Sequence, residues 1–513
     1  MPRAPRRAVA LLAAAAVTAG VAVGGVVVTH GHPFGRSPQK AVKGAPSPSS
    51  AAAPVRFSLT STIPPKPGPK GLPDFRQSGF ELRSLPFAER PYARDAVENF
   101  YCKGPSDEQG VRVSERKSAA GQHPVVQAQC GLELLGFYEA TKDKRYLRRA
   151  IAHGRRLVDT HVDSRGAWWF AYPFDFKLFG QADLTLKAPW YSGMAQGQVL
   201  SLFSRLEHYT RDRAWRRAAD ATFVSFLLPP SATDPWVTFA RDGWLWLAEY
   251  AQWPLERTQR VLNGHLFAMF GLYDYARLSG DRRAVTLFDG SATTLAAHVP
   301  VAFRRPGWMS WYTLDRRVTS PKYHGIHVDQ LRDVAAMTGE LSFLHAADEL
   351  NRDYPPPAVT GTARLVAGRR TGFTFTPNGI ATNRKQVTLP RTVEVEVDKR
   401  QRVFRRGVYL HVTSGELAGL WVREGPRSAV LLGRHLDVLY PKGRVVVLKP
   451  GRQSGVALDA RGRTASRKAV TLPATTRVRI TRQALVNGWT SVLVEKGPLA
   501  GRWVALGHRA ALE

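Results

Sequence analysis

From about residue 120 to residue 355, apolar positions recur every three or four residues, in runs divided by short polar turns. Val199, Leu200, Phe203, Leu206 and Tyr209 fall on one helical face, as do Leu266, Phe270 and Tyr273, and again Ala284, Leu287 and Phe288. The dividing turns are alike: Thr141-Lys142-Asp143, Thr210-Arg211-Asp212, Ser279-Gly280-Asp281 and Thr338-Gly339-Glu340. Each places an acid where it caps or opens the next helix, beside the positive end of that helix dipole. The turns lie 69, 69 and 59 residues apart. An αα-hairpin needs far fewer residues, so each period holds one hairpin plus a long connection. The pattern predicts an all-α (α/α) toroid of helical hairpins over residues 76–358, with a groove lined by inner helices and loops. A solenoid would have shorter and more uniform repeats.

Beyond residue 358 the period changes from 3.6 to 2. Thr392-Val-Glu-Val-Glu-Val397 and Thr476-Arg-Val-Arg-Ile480 alternate as strands do. The region is duplicated. Val387-Thr-Leu-Pro390 returns as Val470-Thr-Leu-Pro473, Leu417-Ala-Gly-Leu-Trp-Val422 returns as Leu499-Ala-Gly-Arg-Trp-Val504, and Gly372 matches Gly455. The chain is therefore multidomain, with two small all-β repeats, 359–446 and 447–513, after the helices. The repeated Trp421 and Trp503 read as core residues beside a tight turn, ahead of sugar platforms.

The amino terminus lies outside both patterns. Arg3, Arg6 and Arg7 precede an uncharged run from Ala8 to His30, which makes residues 1–30 a signal peptide or an uncleaved signal anchor. Residues 31–75 are rich in Pro, Ser and Ala and read as a disordered tether. The protein is then exported, extracellular or held at a membrane by that segment alone. Export permits a disulfide between Cys102 and Cys130, while the apolar helical setting of Cys130 gives a buried free thiol at least equal weight.

Charge adds a partner class. The 513 residues carry a formal net charge of +32. Residues 361–513 alone hold 28 Lys or Arg against 9 Asp or Glu. A basic exported module points to anionic partners such as an acidic polysaccharide, a cell-wall glycan or lipid headgroups. Export and the lack of a nucleic-acid motif exclude nucleic acid.

Unusual residues gather in the long connections. They include Trp168-Trp169-Phe170-Ala171-Tyr172, the run Lys187-Ala-Pro-Trp190-Tyr191-Ser-Gly-Met-Ala-Gln196-Gly-Gln198, Glu249-Tyr250, Asn263, Tyr312 and Tyr323-His324-Gly-Ile-His327. This set suits a charged sugar. Aromatic rings such as Trp169 and Trp190 pack on pyranose C–H groups. Tyr191, Gln196, Gln198 and Asn263 bond hydroxyls, and Lys187, His324 or His327 hold a carboxylate. No paired carboxylates stand in matching loops as a glycosidase requires, and neither a phosphate loop nor a zinc helix occurs. His324 and His327 have no carboxylate spaced to complete a metal site, so no metal and no cofactor is expected.

Four blocks resemble the D-glucuronyl C5-epimerase family: Trp190-Tyr-Ser-Gly-Met-Ala-Gln-Gly-Gln198, Ala248-Glu-Tyr250, Val261-Leu-Asn-Gly264 with Gly271-Leu-Tyr-Asp274, and Tyr323-His-x-x-His327 with Gln330-Leu331. The resemblance covers about residues 120–352. It implies an (α/α) catalytic domain, conversion of D-glucuronate to L-iduronate within heparan-type polymers, and a homodimer. It also assigns catalytic roles to Glu249, Tyr250, Tyr312 and Tyr323. The family's Asp-Leu-Arg run after the tyrosine is replaced here by Thr313-Leu-Asp-Arg316, and the tether and a short preamble stand where the family has a leading β domain, with β modules following the helices instead.

The chemistry accounts for such residues. Inverting C5 removes a proton beside the carboxylate and returns one to the opposite face, so two acid/base groups must flank the ring. Glu249 and Tyr323 are assigned to the two faces, with Tyr250 and Tyr312 relaying protons or bonding the enediolate. A polysaccharide lyase shares the first step and differs by expelling the C4 substituent. A non-catalytic binder of acidic glycans is the third reading.

Overall fold

The computed structural model describes residues 63–92, 102, 104–114, 122–354, 358–375, 380–403, 406–459 and 462–513. The export segment, 1–30, and most of the tether, 31–75, lie outside the described residues.

Among the described residues, eight α-helices form four hairpins: α1 (Pro124–Thr141) with α2 (Lys144–Asp159), α3 (Gly193–Thr210) with α4 (Arg213–Val224), α5 (Leu262–Ser279) with α6 (Arg282–His298), and α7 (Pro321–Thr338) with α8 (Leu341–Asp353). The repeated turn works through its backbone. Lys142, Arg211, Gly280 and Gly339 all adopt the left-handed conformation that ends a helix. Asp143, Asp212 and Asp281 then cap the next helix by accepting from the backbone N–H two residues on, at 2.8 Å each. Glu340 makes no such side-chain cap.

Helix α1 packs on α3, α3 on α5, and α5 on α7. The central pair α3 and α5 is buried along most of its length. At their crossing no side chain fits. A Cβ on Gly197 would lie 2.4 Å from Ala268 Cα, and one on Gly271 would lie 2.2 Å from Gly197 O. Two backbones in contact fix the spacing of the helices that carry the site. Beside the crossing, Asp274 on α5 binds two buried guanidinium groups, Arg205 on α3 at 2.8 Å and Arg90 at 3.0 Å.

The tether ends earlier than its composition indicates. Strand β1 (Pro65–Lys66) pairs with β2 (Phe75–Arg76), and Phe75 is fully buried. Asp289 of α6 accepts from the Gly79 and Phe80 amides at about 3.0 Å, and a Cβ on Gly290 would strike Phe75 at 2.3 Å. Helix α6 is thus covered by the segment before the helices, which explains why it is buried on more faces than α2 or α4. Cys102 and Cys130 form a disulfide, which decides between the two options that their spacing left open.

Three short hairpins fill the long connections: β3–β4 (Val162–Ser164, Ala167–Trp169), β5–β6 (Phe176–Lys177, Thr185–Leu186) and β7–β8 (Thr238–Arg241, Trp244–Leu247). After the helices come two seven-stranded antiparallel sheets. The first, β9–β15 (Ala358–Leu431), has the order β11-β10-β14-β13-β12-β9-β15. The second, β16–β22 (Arg434–Leu512), has the order β18-β17-β21-β20-β19-β16-β22. Each strand of one sheet corresponds to the strand seven places later in the other, so the duplication read from the sequence is a duplication of topology. The boundary lies near residue 432, ahead of the 446 expected. The long strand β16 (Arg434–Leu448) starts in a bulged stretch without period-2 alternation and pairs with β19 (Thr476–Val486) from Arg434 to Leu448 with two register shifts. Trp503 is buried in a small cluster with Ala484 and Val486, as the core reading had it, whereas Trp421 is only partly buried, against His411. Both sheets touch α8: Tyr440 and Arg444 bind Asp348, and Arg402 donates to the Arg352 carbonyl at 3.1 Å.

Candidate active site

The site begins where β8 runs out. Trp244–Leu247 is apolar and wholly buried, so the residues that follow emerge from the core at a fixed point. Ala248 donates to Val237 O and accepts from Gly193 N–H, both at 2.7 Å. The second bond ties the strand end to the first residue of α3. A Cβ on Gly193 would lie 2.7 Å from Ala248 O, so only glycine allows it. Glu249 then lies against the first turn of α5, where a Cβ on Gly264 would be 2.2 Å from Glu249 Oε2. The Tyr312 carbonyl accepts from Leu262 N–H at 3.0 Å, which brings a third segment to the same helix start.

Four side chains meet there. Tyr312 Oη donates to Glu249 Oε1 at 3.2 Å. The Tyr250 and Tyr312 hydroxyls are 3.1 Å apart. The Tyr323 ring, from the first turn of α7, sits 4.4 Å from the Tyr312 ring, centroid to centroid. Glu249 is 5% exposed, Tyr250 2% and Tyr312 5%. Burial pushes the Glu249 carboxyl up from 4.5 to about 7, against the pull of the Tyr250 and Tyr312 hydroxyls. Burial, and then the Glu249 charge, push the phenols of Tyr250 and Tyr312 well above their ordinary value. Near neutral pH the cluster therefore holds one carboxyl poised between its two states and phenols that keep their protons. Such a set can take a proton and pass another along.

Glu249 and Tyr250 face a narrow cleft of about 20 Å³, lined also by His123, Tyr172, Phe174, Phe176 and Trp190. Its walls are aromatic and its polar groups few, as small-ligand sites are.

Residues 162–352 match the family model for the D-glucuronyl C5-epimerase C-terminus. This segment belongs to that family. A D-glucuronyl C5-epimerase of Caenorhabditis elegans is 30% identical over 122 residues, 24% of this chain and 18% of that relative. The chain thus spans less than a fifth of the curated relative. Among solved structures, cellobiose 2-epimerase from Bacillus thermoamylovorans superposes with a TM-score of 0.35 at 12% identity, over 52% of this chain and 67% of that one. An unsaturated glucuronyl hydrolase from Streptococcus agalactiae gives 0.32 at 10% identity, over 57% and 66%.

Within the family segment, the expected binding residues divide. Trp190 lines the cavity, but Tyr172 stacks on its ring at 3.8 Å and 5°, and its Nε1 donates to Phe174 O. It serves as wall, with one face already covered. Tyr191 is half-buried against the edge of Trp169. Trp169 is fully buried with its Nε1 donating to Ser164 O, a core residue and not a sugar platform. Gln196 is spent on Phe170 N–H, Trp168 O and Ser225 Oγ; it ties the β4 connection to α3 and offers no free hydrogen-bonding group. Gln198 is fully buried, and neither atom of its amide has a protein partner. Asn263 is buried beside Gly264; its backbone carbonyl accepts from Gln330 Nε2 at 3.1 Å, and its side-chain Oδ1 has no protein partner.

The three expected carboxylate holders are placed otherwise. The Lys187 side chain is 77% exposed and paired with Asp175 at 2.6 Å. His324 accepts from Ser310 N–H and donates to Leu350 O, and burial lowers it to about 4. His327 shares Ser310 Oγ and is lowered well below its ordinary value by burial. Both imidazoles are neutral at pH 7, so neither supplies positive charge. His123 and Phe176 were not read from the sequence. His123 reaches the cavity because it caps α1, a position that its place before Pro124 could have revealed.

Proposed function

We propose that this chain inverts C5 of D-glucuronate to L-iduronate within an acidic polysaccharide, on an (α/α) toroid of which the four hairpins form the body. The observation that carries this reading is the meeting of Glu249, Tyr250, Tyr312 and Tyr323. They come from three places in the chain and form one buried, hydrogen-bonded and ring-packed group beside an aromatic cavity. In this reading Glu249 and Tyr323 serve opposite faces of the ring. One removes the C5 proton, the electron pair spreads into the adjacent carboxylate, and the other returns a proton to the far side. Tyr312 is bonded to Glu249 and packed at a tilt against Tyr323, so it can relay the proton or hold the enediolate oxygen. The basic β modules suit an anionic polymer outside the cell, and a homodimer accords with the family.

The test is incubation of glucuronate-containing polymers in deuterated water, with NMR at C5. Deuterium at C5 without chain cleavage is expected, with loss of at least a hundredfold in Glu249→Gln and Tyr323→Phe. Full exchange in both variants would remove the assignment. An unsaturated, ultraviolet-absorbing product would make the enzyme a lyase.

A further inference from the structure

A carbanion beside a carboxylate needs a cation, because the charge leaving C5 flows onto oxygens that are already negative. The residues that the sequence offered for this are engaged: Lys187 with Asp175 at the surface, His324 and His327 as neutral imidazoles. The cavity lining contains no lysine or arginine, and its one carboxyl, Glu249, repels an anion.

We infer that Lys322 receives the carboxylate of the reacting uronate, an assignment that rests on the epimerase reading above. Lys322 opens α7 immediately before Tyr323, and its Nζ lies 5.7 Å from the centroid of the Tyr323 ring. That ring is 4.4 Å from Tyr312, whose hydroxyl reaches Glu249 at 3.2 Å. The ammonium is thus linked to Glu249 through the Tyr323 and Tyr312 side chains. A carboxylate bound at Lys322 sits one bond from C5, which places C5 toward Tyr323 and turns the ring toward Glu249.

The state of Lys322 fits this role. It is half-buried, and among the described residues no carboxylate lies within ion-pairing distance of it. Arg304 and Arg260, also partly buried, have such partners in Asp353 and Asp315. A charge withdrawn from water without a counter-ion is costly unless something else supplies one. Burial also holds the Lys322 ammonium below its ordinary value, and a bound carboxylate would restore it.

The test uses the full chain with a glucuronate-containing tetrasaccharide and its carboxyl-reduced counterpart, in which glucose replaces glucuronate. Binding is followed by calorimetry, and C5 exchange by NMR. The wild type should bind the uronate form at least tenfold more tightly than the reduced form. Lys322→Gln should lose that preference by weakening only the uronate form, with a raised KM. Lys322→Arg should recover most of the preference. Equal weakening of both oligosaccharides, or an unchanged preference in Lys322→Gln, would overturn the assignment. Absence of C5 exchange in the wild type would overturn the epimerase reading alone, since the binding comparison does not depend on turnover.

Discussion

Replacing Glu249 by glutamine should make the protein more stable, by an amount that grows from pH 4.5 to about 7 and is full above that. In the unfolded chain the carboxyl titrates near 4.5, and in the fold near 7. Below pH 4.5 both states hold the proton, and the charge costs nothing. Between 4.5 and 7 the unfolded chain has released it while the fold retains it, so wild-type stability falls as pH rises. Above 7 the fold carries a buried carboxylate, and the loss is complete. That gap corresponds to about 3 kcal/mol, at roughly 1.4 kcal/mol per pH unit. The glutamine has no charge to bury, and its carbonyl still accepts from Tyr312. Its advantage over the wild type should be near zero at pH 4.5 and about 3 kcal/mol at pH 8. For a domain of this size that is roughly 5–10 °C in melting temperature. The measurement is a thermal melt of both proteins at the two pH values, and it needs no substrate. A melting difference that is the same at both would refute the argument, because it would mean that burial does not oppose ionisation of Glu249.

Three further outcomes follow from the packing. Gly264→Ala puts a methyl group 2.2 Å from Glu249 Oε2 and 2.5 Å from Glu249 Cβ; displacing the carboxylate should cut C5 exchange about a hundredfold, and wild-type exchange rates would show that the first turn of α5 does not position Glu249. Asp274→Asn leaves Arg90 and Arg205 buried without their counter-ion and should cost about 3–5 kcal/mol in urea unfolding; a loss under 1 kcal/mol would mean that the guanidinium groups find water or new partners. Reducing the Cys102–Cys130 bridge, which spans 28 residues, should cost about 3–4 kcal/mol, visible as a lower urea midpoint with reductant present, and coincident curves would contradict it.

What the sequence disclosed was mostly what repeats. The hydroxyl–variable–acid turn is legible because its three tasks, helix end, left-handed residue and cap, fall on consecutive residues. The duplicated sheets are legible because Gly372 and Gly455, or Val387 and Val470, keep their register. Burial was harder to see. Gln196 and Gln198 look alike in the sequence, yet one is consumed by backbone partners and the other has none, because a helix rotates them by 200° relative to each other. His324 and His327 read as charge carriers since imidazole titrates near neutrality, and only the fold shows the Ser310 and Leu350 groups that fix the His324 tautomer. Phe75 stands in a Pro-rich stretch without periodicity; nothing local marks it as core, because the surface it fills belongs to α6, more than 200 residues away.

The docking of α8 has a consequence for the two sheets. Arg444, which binds the buried Asp348, occupies the place in its sheet that Gly361 occupies in the other, as their partners Ile480 and Val397 across the ladder indicate. A Cβ at Gly361 would come within 3.0 Å of His435, at the start of the second sheet. The two copies have therefore specialised, one as a plug for the last hairpin and the other as a seat for its twin. A chain carrying the first copy twice would leave Asp348 without its arginine, and one carrying the second copy twice would drive an arginine against His435. Twins by descent, the two sheets are no longer exchangeable parts.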